Sequence, residues 1–306
     1  MAFVTRFAPS PTGPLHLGHA YSAMLAHDMA RAAGGQFLLR IEDIDRQRSK
    51  TAWERQLIDD LNWLGVSWDG EPMRQSDRQP AYDQALDRLW QSGYLYPCTC
   101  SRKDVEAALS APQEGAELPV GPDGLIYPGT CRNRMQEERT FPASHPRPRD
   151  ATLRLEVSLI SPKVFQHGID GPSGGCHACA SYRETGIGPD GTSGLIEFTL
   201  ADIESQVGDF VVARRDMGTS YHLSVVVDDA AQGITHVVRG ADLTEATRIH
   251  VVLQRLLGLP TPTYHHHRLI RDEHGKRLAK RDDARALAKY RAEGATPQDI
   301  RRMVGL

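Results

Sequence analysis

The chain has 306 residues, a formal net charge of −3 and 40% hydrophobic residues, enough to bury a full core as one large domain with appendages or as two domains. That balance gives no globally basic character, so a nucleic-acid partner would have to be met by a local patch of lysine and arginine. The chain does not open with a basic region leading into an apolar stretch, and no run of about 18 apolar residues occurs, so a soluble, cytoplasmic protein without a membrane association is expected.

In chain order, residues 5–8 read as a short strand. After the PSPTGP turn, residues 17–33 carry helical apolar spacing until Gly34 and Gly35 stop it. QFLLRI, residues 36–41, reads as a buried strand, and helical patterns follow over 50–64 and 80–92. The first hundred residues thus run β-α-β-α-α, the start of a parallel-sheet nucleotide fold in the α/β class.

From about residue 96 to 197 the prolines and the Gly-rich stretches EGAELPVGPDG and GIDGPSGG break every periodicity except a strand over 151–158, which marks an insertion. Regular pattern returns over 208–214, with a helix near 221–226, a strand over 234–238 and a helix over 243–257. The remaining residues hold HHHRLI, the loop DEHGKRLAKRDDA and two short helical patterns.

The densest chemistry lies in RFAPSPTGPLHLGH, from Arg6 to His19: a strand, a proline-fixed turn and a helix whose first turn carries two histidines. A helix N-terminus presents unpaired N–H groups and a positive dipole, which suit polyphosphate. His16 and His19, three apart, share one helix face and can donate to phosphate oxygens, while Gly18 removes a side chain where a flat base could approach. An isolated HxxH more often caps a surface helix; the surrounding string argues against that here.

These strings resemble the glutamyl and glutaminyl branch of class I aminoacyl-tRNA synthetases, whose HIGH-type signature is matched by His16-Leu17-Gly18-His19 and whose second string is matched by LRIEDIDR, residues 39–46. The resemblance implies a Rossmann-type class I synthetase catalytic domain over 1–258, interrupted over 97–197 by a zinc-bearing insertion. A small C-terminal helical, stem-contact-like subdomain follows over 259–306. It places Arg6 and Ser10 against the substrate carboxylates. Glu42, at the end of a strand, would meet the substrate amino group. Tyr221 and the Arg239 of VRGAD would line the amino acid pocket, where an arginine fork holds the γ-carboxylate of glutamate bidentately.

RLAKR, residues 277–281, aligns with the KMSKS loop, so Lys280 would join His16 and His19 as a catalytic residue, with His16, Gly18, His19 and Lys280 binding ATP. Arg277 and Ala279 depart from that pattern and bear on loop dynamics and turnover. LRIEDIDR alone would read as a strand entering a charged loop, Tyr221 as a core aromatic, Arg239 as an ion-pair partner and RLAKR as a solvated basic loop.

Five cysteines, Cys98/Cys100, Cys131 and Cys176/Cys179, make an odd count at metal-type spacings, which fits metal ligation in a reducing compartment. Cys98, Cys100 and Cys131 offer three thiolates, and the resemblance supplies Tyr127 as a phenolic fourth ligand for one structural Zn2+. Cys176 and Cys179 could bind their own metal, replace Tyr127 or do neither.

About 25 residues follow Arg281, fewer than a domain minimum of about 50. That shortness, the GAD after Arg239 and the CxC/YxxxC insertion resemble the glutamyl-Q tRNA(Asp) synthetase group, with 165–194 the poorest fit. The group implies that ATP, with Mg2+, and glutamate form glutamyl-adenylate without tRNA, and that glutamate passes to queuosine in the anticodon of tRNA(Asp). A monomer is expected, with Arg271, Lys276, Arg277, Arg281, Arg301 and Arg302 as a candidate RNA patch. The alternatives are a truncated discriminating glutamyl-tRNA synthetase acting on tRNA(Glu) and a non-catalytic RNA-binding paralogue.

Overall fold

A computed structural model describes residues 2–110, 118–137, 145–165, 179–271 and 285–306. The chain begins with β1 (Val4–Phe7), α1 (Leu17–Ala32), β2 (Gln36–Ile41), α2 (Thr51–Trp63), β3 (Met73–Arg74), α3 (Gln79–Gln91) and β4 (Leu95–Cys98). The buried face of α1 is rich in alanine, with Ala20, Ala23, Ala26 and Ala30, so the helix can lie close to the strands. It stops where anticipated. Gly34 takes a left-handed φ of 62°, and a Cβ on Gly35 would lie 2.1 Å from the Phe3 carbonyl oxygen, so only glycine turns the chain directly into β2.

Next come α4 (Arg102–Ser110), β5 (Val120–Gly121), β6 (Gly124–Leu125), α5 (Thr130–Glu137), β7 (Thr152–Leu155), β8 (Cys179–Glu184), β9 (Gly194–Thr199) and α6 (Leu200–Gln206). The chain then forms β10 (Phe210–Ala213), α7 (Tyr221–Ala231), β11 (His236–Gly240), α8 (Ala246–Leu257), β12 (Thr263–His267), α9 (Leu287–Ala292) and α10 (Pro297–Val304). The anticipated elements recur with shifts of a few residues; the helix at 221 extends to Ala231, and α8 begins at Ala246 behind a 3-10 turn over Ala241–Leu243.

Strands β1, β2 and β3 form a parallel sheet in that order, and β11, β12, β8 and β9 form another. β11 and β12 run parallel, β12 and β8 parallel, and β8 and β9 antiparallel. Thr235 joins the two sheets: its N–H donates to the Val4 carbonyl at 2.9 Å and its hydroxyl accepts from the Val4 N–H at 2.8 Å. A separate antiparallel sheet, ordered β10-β7-β4, shares one apolar core with α3, α7 and α8 through Leu95, Leu153, Phe210, Leu223 and Ile249.

The stretch from 96 to 197 holds more regular structure than its composition suggests. β8 alternates buried Ala180, Tyr182 and Glu184 with more accessible neighbours, a period of two disguised by the carboxylate at its third core position. β12 was hidden in the same way, because its buried residues Tyr264, His266 and His267 are polar. The C-terminal ends of β1, β2, β11 and β12 open onto one cleft, which Phe7, Glu42, Gly240 and His267 help to line. This is the edge at which open parallel sheets bind ligands.

Candidate active site

The cleft has a volume of about 480 Å3 and gathers Arg6, Ser10, His16, Gly18, His19, Glu42, Tyr221 and Arg239. Every candidate substrate residue of the sequence among the described residues therefore lines one cavity.

His16 caps α1. Its Nδ1 accepts from the Gly18 N–H at 3.1 Å, and its own N–H donates to His19 Nδ1 at 3.2 Å. With both Nδ1 atoms accepting, each ring carries its proton on Nε2, and the two rings lie 3.8 Å apart. A Cβ at Gly18 would sit 3.0 Å from His16 Cε1 and 3.1 Å from Nδ1, so the glycine keeps the His16 ring folded over the first turn. That adds a second reason for Gly18 to the open approach anticipated for a base.

The opposite wall is built on buried charge. Asp229, on α7, accepts Arg6 Nε at 2.8 Å and Arg40 Nη1 at 2.6 Å. Arg40 is 0% exposed and also reaches Gln232 Oε1 at 3.0 Å and Glu42 Oε1 at 3.2 Å. Burial opposes the charge on Asp229, but Arg6 and Arg40 hold its carboxyl below the usual range. Glu42 moves the other way, because burial outweighs Arg40 and Arg6 and raises its pKa. An ammonium group arriving in the cleft would draw Glu42 back to its charged form.

Arg239 stands at the end of β11 and is itself largely buried. Its Nε donates to His266 Nε2 at 3.0 Å, Nη1 meets His250 Nδ1 at 3.1 Å, and Nη2 donates to Thr247 Oγ1 at 2.8 Å and Leu243 O at 3.2 Å. Four of its five N–H groups are thus engaged by protein. The bidentate fork anticipated from the sequence is not available in this arrangement; one N–H of Nη1 is left to point at a ligand. All four partners are uncharged groups, since burial and Arg239 itself hold His250 well below the ordinary imidazole pKa and burial lowers His266 as well. Tyr221, the first residue of α7, packs its ring edge-on to His250 at 5.8 Å.

Lys280 lies outside the described residues, as do Lys276, Arg277, Arg281 and Cys176. The residues flanking 272–284 do reach the cleft: Ile270 lines it, Ala286 bridges to His16, and the Leu287 N–H donates to the Leu15 carbonyl at 2.8 Å. Of the anticipated RNA patch, Arg301 pairs with Asp28 at 2.6 Å and Arg302 pairs with Asp299, so neither presents a bare charge.

The sulfurs of Cys98, Cys100 and Cys131 lie within 4.8 Å of one another, a set that could hold a metal ion. Cys100 and Cys131 Sγ are 3.5 Å apart, close to the roughly 3.8 Å that tetrahedral bonds of about 2.3 Å impose. The Tyr127 hydroxyl lies 3.3 Å from Cys100 Sγ and 3.5 Å from Cys98 Sγ. Burial works against the Cys131 thiolate, yet hydrogen bonds from Tyr127 and the Thr99 N–H bring its pKa down to about 6. Arg154 donates to Cys98 Sγ at 3.3 Å and lies over the Tyr127 ring at 3.8 Å. Cys179, the first residue of β8, is disulfide-bonded, so the metal ligation that its spacing suggested does not hold for it.

The family model for class I tRNA synthetases (E and Q), catalytic domain, matches residues 2–173 and 183–306. The chain belongs to that family. It is 60% identical to a glutamyl-Q tRNA(Asp) synthetase of Rhodobacter capsulatus over 99% of this chain and 100% of that one. It is 41% identical to a protein of the same name from Symbiobacterium thermophilum, over 96% of this chain and 83% of that one. The crystal structure of a glutamate tRNA ligase from Elizabethkingia meningosepticum in complex with its amino acid aligns with a TM-score of 0.71 at 25% identity, covering 100% of this chain and 61% of that one. This chain thus spans less than two thirds of that structure. As a class I synthetase of the E and Q type, the protein is a ligase, with a glutamate-tRNA ligase type of function. Among the described residues no helix is long and apolar enough to cross a membrane.

Several residues that shape this synthetase cleft carried no signal in the sequence. Asp229 sits in the run VVVDDAA, where one acidic residue of a helix looks like another; Asp228 beside it turns instead to Gln75, Arg78 and Tyr82. Arg40 lies inside LRIEDIDR, and nothing in that string marks it as buried, because a charge inside a strand is normally solvated. His266 and Glu184 become visible only when β11, β12 and β8 are laid side by side, and His250 only when α8 is packed against them.

Proposed function

We propose that the protein activates glutamate with ATP, forming glutamyl-adenylate without tRNA, and transfers glutamate to queuosine in the anticodon of tRNA(Asp). The observation that carries the first half is the single cleft, with imidazole donors at a helix N-terminus on one side and an acidic-amino-acid pocket on the other. An oxygen of the α-carboxylate attacks the α-phosphorus of ATP in line; the bond from that phosphorus to the bridging oxygen breaks, and pyrophosphate leaves. No protein nucleophile is needed, so catalysis consists of positioning and charge stabilisation.

The Nε2–H groups of His16 and His19 would donate to phosphate oxygens as charge builds there, and Lys280 would neutralise the leaving pyrophosphate with Mg2+ alongside. Glu42 would take the substrate ammonium, Arg6 and Ser10 the α-carboxylate side, and Arg239 with Tyr221 the γ-carboxylate. Arg239 would favour glutamate over glutamine by its charge, since the groups around it are neutral. Cys98, Cys100, Cys131 and Tyr127 would hold one structural Zn2+, a set favoured by the donors already directed at its sulfurs. The second half, transfer to queuosine, is supported by the names of the relatives.

Two measurements test the reading. Glutamate-dependent pyrophosphate exchange should proceed with no tRNA present, and His16→Ala or Lys280→Ala should each lower it by about 2 kcal/mol of transition-state stabilisation or more, roughly 30-fold. Radioactive glutamate should then label tRNA(Asp) from cells that make queuosine and not from cells that lack it. Labelling of tRNA(Glu) at its acceptor end would overturn the choice of acceptor, and absence of exchange with glutamate would overturn the activity.

A further inference from the structure

The guanidinium of Arg239 is held from behind by two imidazoles, and each of these leads to a carboxylate. On one side His266 Nε2 accepts Arg239 Nε, while His266 Nδ1 lies 2.5 Å from Glu184 Oε2. On the other, His250 Nδ1 meets Arg239 Nη1, His250 Nε2 lies 3.1 Å from His222 Nδ1, and His222 Nε2 stands 3.5 Å from Asp123. The first arm is closed to solvent: the Glu184 and His266 side chains are both 0% exposed. Glu184 has no other task that the geometry shows. Its Oε1 accepts the His266 N–H at 3.0 Å and the Gly186 N–H at 2.7 Å, and its Oε2 serves the ring.

An imidazole that accepts on Nε2 must carry its proton on Nδ1, and the partner at Nδ1 decides which tautomer forms. Ionised Glu184 accepts only, so it fixes the proton on Nδ1 and leaves Nε2 as the acceptor that Arg239 requires. The register brings the three groups together: Arg239 faces His266 across β11 and β12, and Tyr264, two residues earlier, pairs with Glu184 across β12 and β8. Glu184 lies in the second segment that the family model matches, residues 183–306.

We propose that Glu184 and His266 are positioning residues for amino acid selection: by locking the imidazole in the Nδ1–H tautomer, Glu184 holds the Arg239 guanidinium with one N–H and its full charge facing the γ-carboxylate of the substrate. This rests on the reading of Arg239 as the glutamate anchor given above. The carboxylate acts two groups away from the substrate, and its buried charge is matched to the arginine without touching it. That spacing leaves Arg239 uncompensated by any direct ion pair among the described residues.

Glu184→Gln tests it in the full chain. The amide would present N–H groups toward His266, the proton would move to Nε2, and two donors would then face each other between His266 and Arg239. Tautomer and binding should change together. The 15N signals of labelled histidine should show the Nδ1–H form of His266 in the parent protein and the Nε2–H form in the variant. In tRNA-free exchange the KM for glutamate should rise at least tenfold, with kcat and the KM for ATP within about threefold. His266→Phe, which removes the acceptor, should raise the glutamate KM similarly. His266→Gln, whose amide can accept from Arg239 and donate to Glu184, should recover most of the loss and covers the case in which Glu184→Gln does not fold. Arg239→Ala separates this proposal from the reading beneath it. If Arg239→Ala destroys glutamate-dependent exchange while Glu184→Gln and His266→Phe leave the glutamate KM within twofold, the positioning role is refuted and the anchor stands. If Arg239→Ala itself leaves that KM unchanged, both are refuted.

Discussion

Replacing Asp229 by alanine removes the one carboxylate that Arg6 and Arg40 share. The two short contacts, 2.8 Å from Arg6 Nε and 2.6 Å from Arg40 Nη1, are charge-assisted hydrogen bonds, each contributing about 1.5–3 kcal/mol. Together they reach about 3–6 kcal/mol, in line with the roughly 3–5 kcal/mol lost when one partner of a buried pair is removed. The loss is large because nothing nearby can replace Asp229: Arg40 is 0% and Arg6 5% exposed, and Glu42 alone cannot neutralise two guanidinium groups.

For a chain of this size about 4 kcal/mol corresponds to a Tm lower by about 6 °C, read by circular dichroism, with Asp229→Asn falling by roughly half as much. The pH dependence has a definite sign. The Asp229 carboxyl is held below its usual range, so its contribution is complete above the ordinary carboxylate pKa of about 3.9 and disappears as pH falls through the depressed folded value. The gap between parent and variant should stay constant from neutral pH to about pH 5 and close only in stronger acid. A Tm within about 3 °C of the parent at pH 7 would refute the account of this wall.

In Gly18→Ala the added methyl meets the His16 ring at 3.0 Å and displaces it; exchange should fall roughly tenfold, about 1.4 kcal/mol. Stability should hardly change, because the helix-propensity gain of about 1 kcal/mol offsets a cap loss of similar size. Glu42 must be ionised to pair with the substrate ammonium and its pKa is raised by burial, so the glutamate KM should climb as pH drops through that raised value. Glu42→Gln should bind glutamate weakly and with a flat profile between about pH 5 and about 8; a parallel rise in both proteins would exclude Glu42. Roughly one zinc per chain is expected by metal analysis, lost in Cys131→Ser along with the protection of α5 from protease, whereas a parent protein without zinc would refute the thiolate site.

The His16 side of the cleft was legible in the sequence because its parts are contiguous: strand, turn, cap and helix follow one another from Arg6 to His19, and local rules suffice to read them. Arg239 and Tyr221 could be named but not arranged, since the direction of a guanidinium depends on residues that arrive from β8, β12 and α8. Its four protein partners explain why a fork drawn from the sequence alone offered the ligand one N–H too many. β8 and β12 escaped notice for a related reason. A buried glutamate and buried histidines occupy positions where a sheet core normally shows aliphatic side chains, and the pairing of these polar residues with one another is invisible in a one-dimensional pattern.

The last two helices bear on how this protein can be handled. Leu287, Ile300 and Val304 enter the same apolar cluster as Leu17, Ala20 and Met24 of α1, and Arg301 ties α10 to Asp28. The segment after residue 284 therefore buttresses the helix that carries His16 and His19. Truncating the chain before residue 285 would strip that helix of its outer support, so such a variant should lose affinity for ATP even with every signature residue still attached. A tag placed after Leu306 is the gentler choice, because Leu306 is exposed.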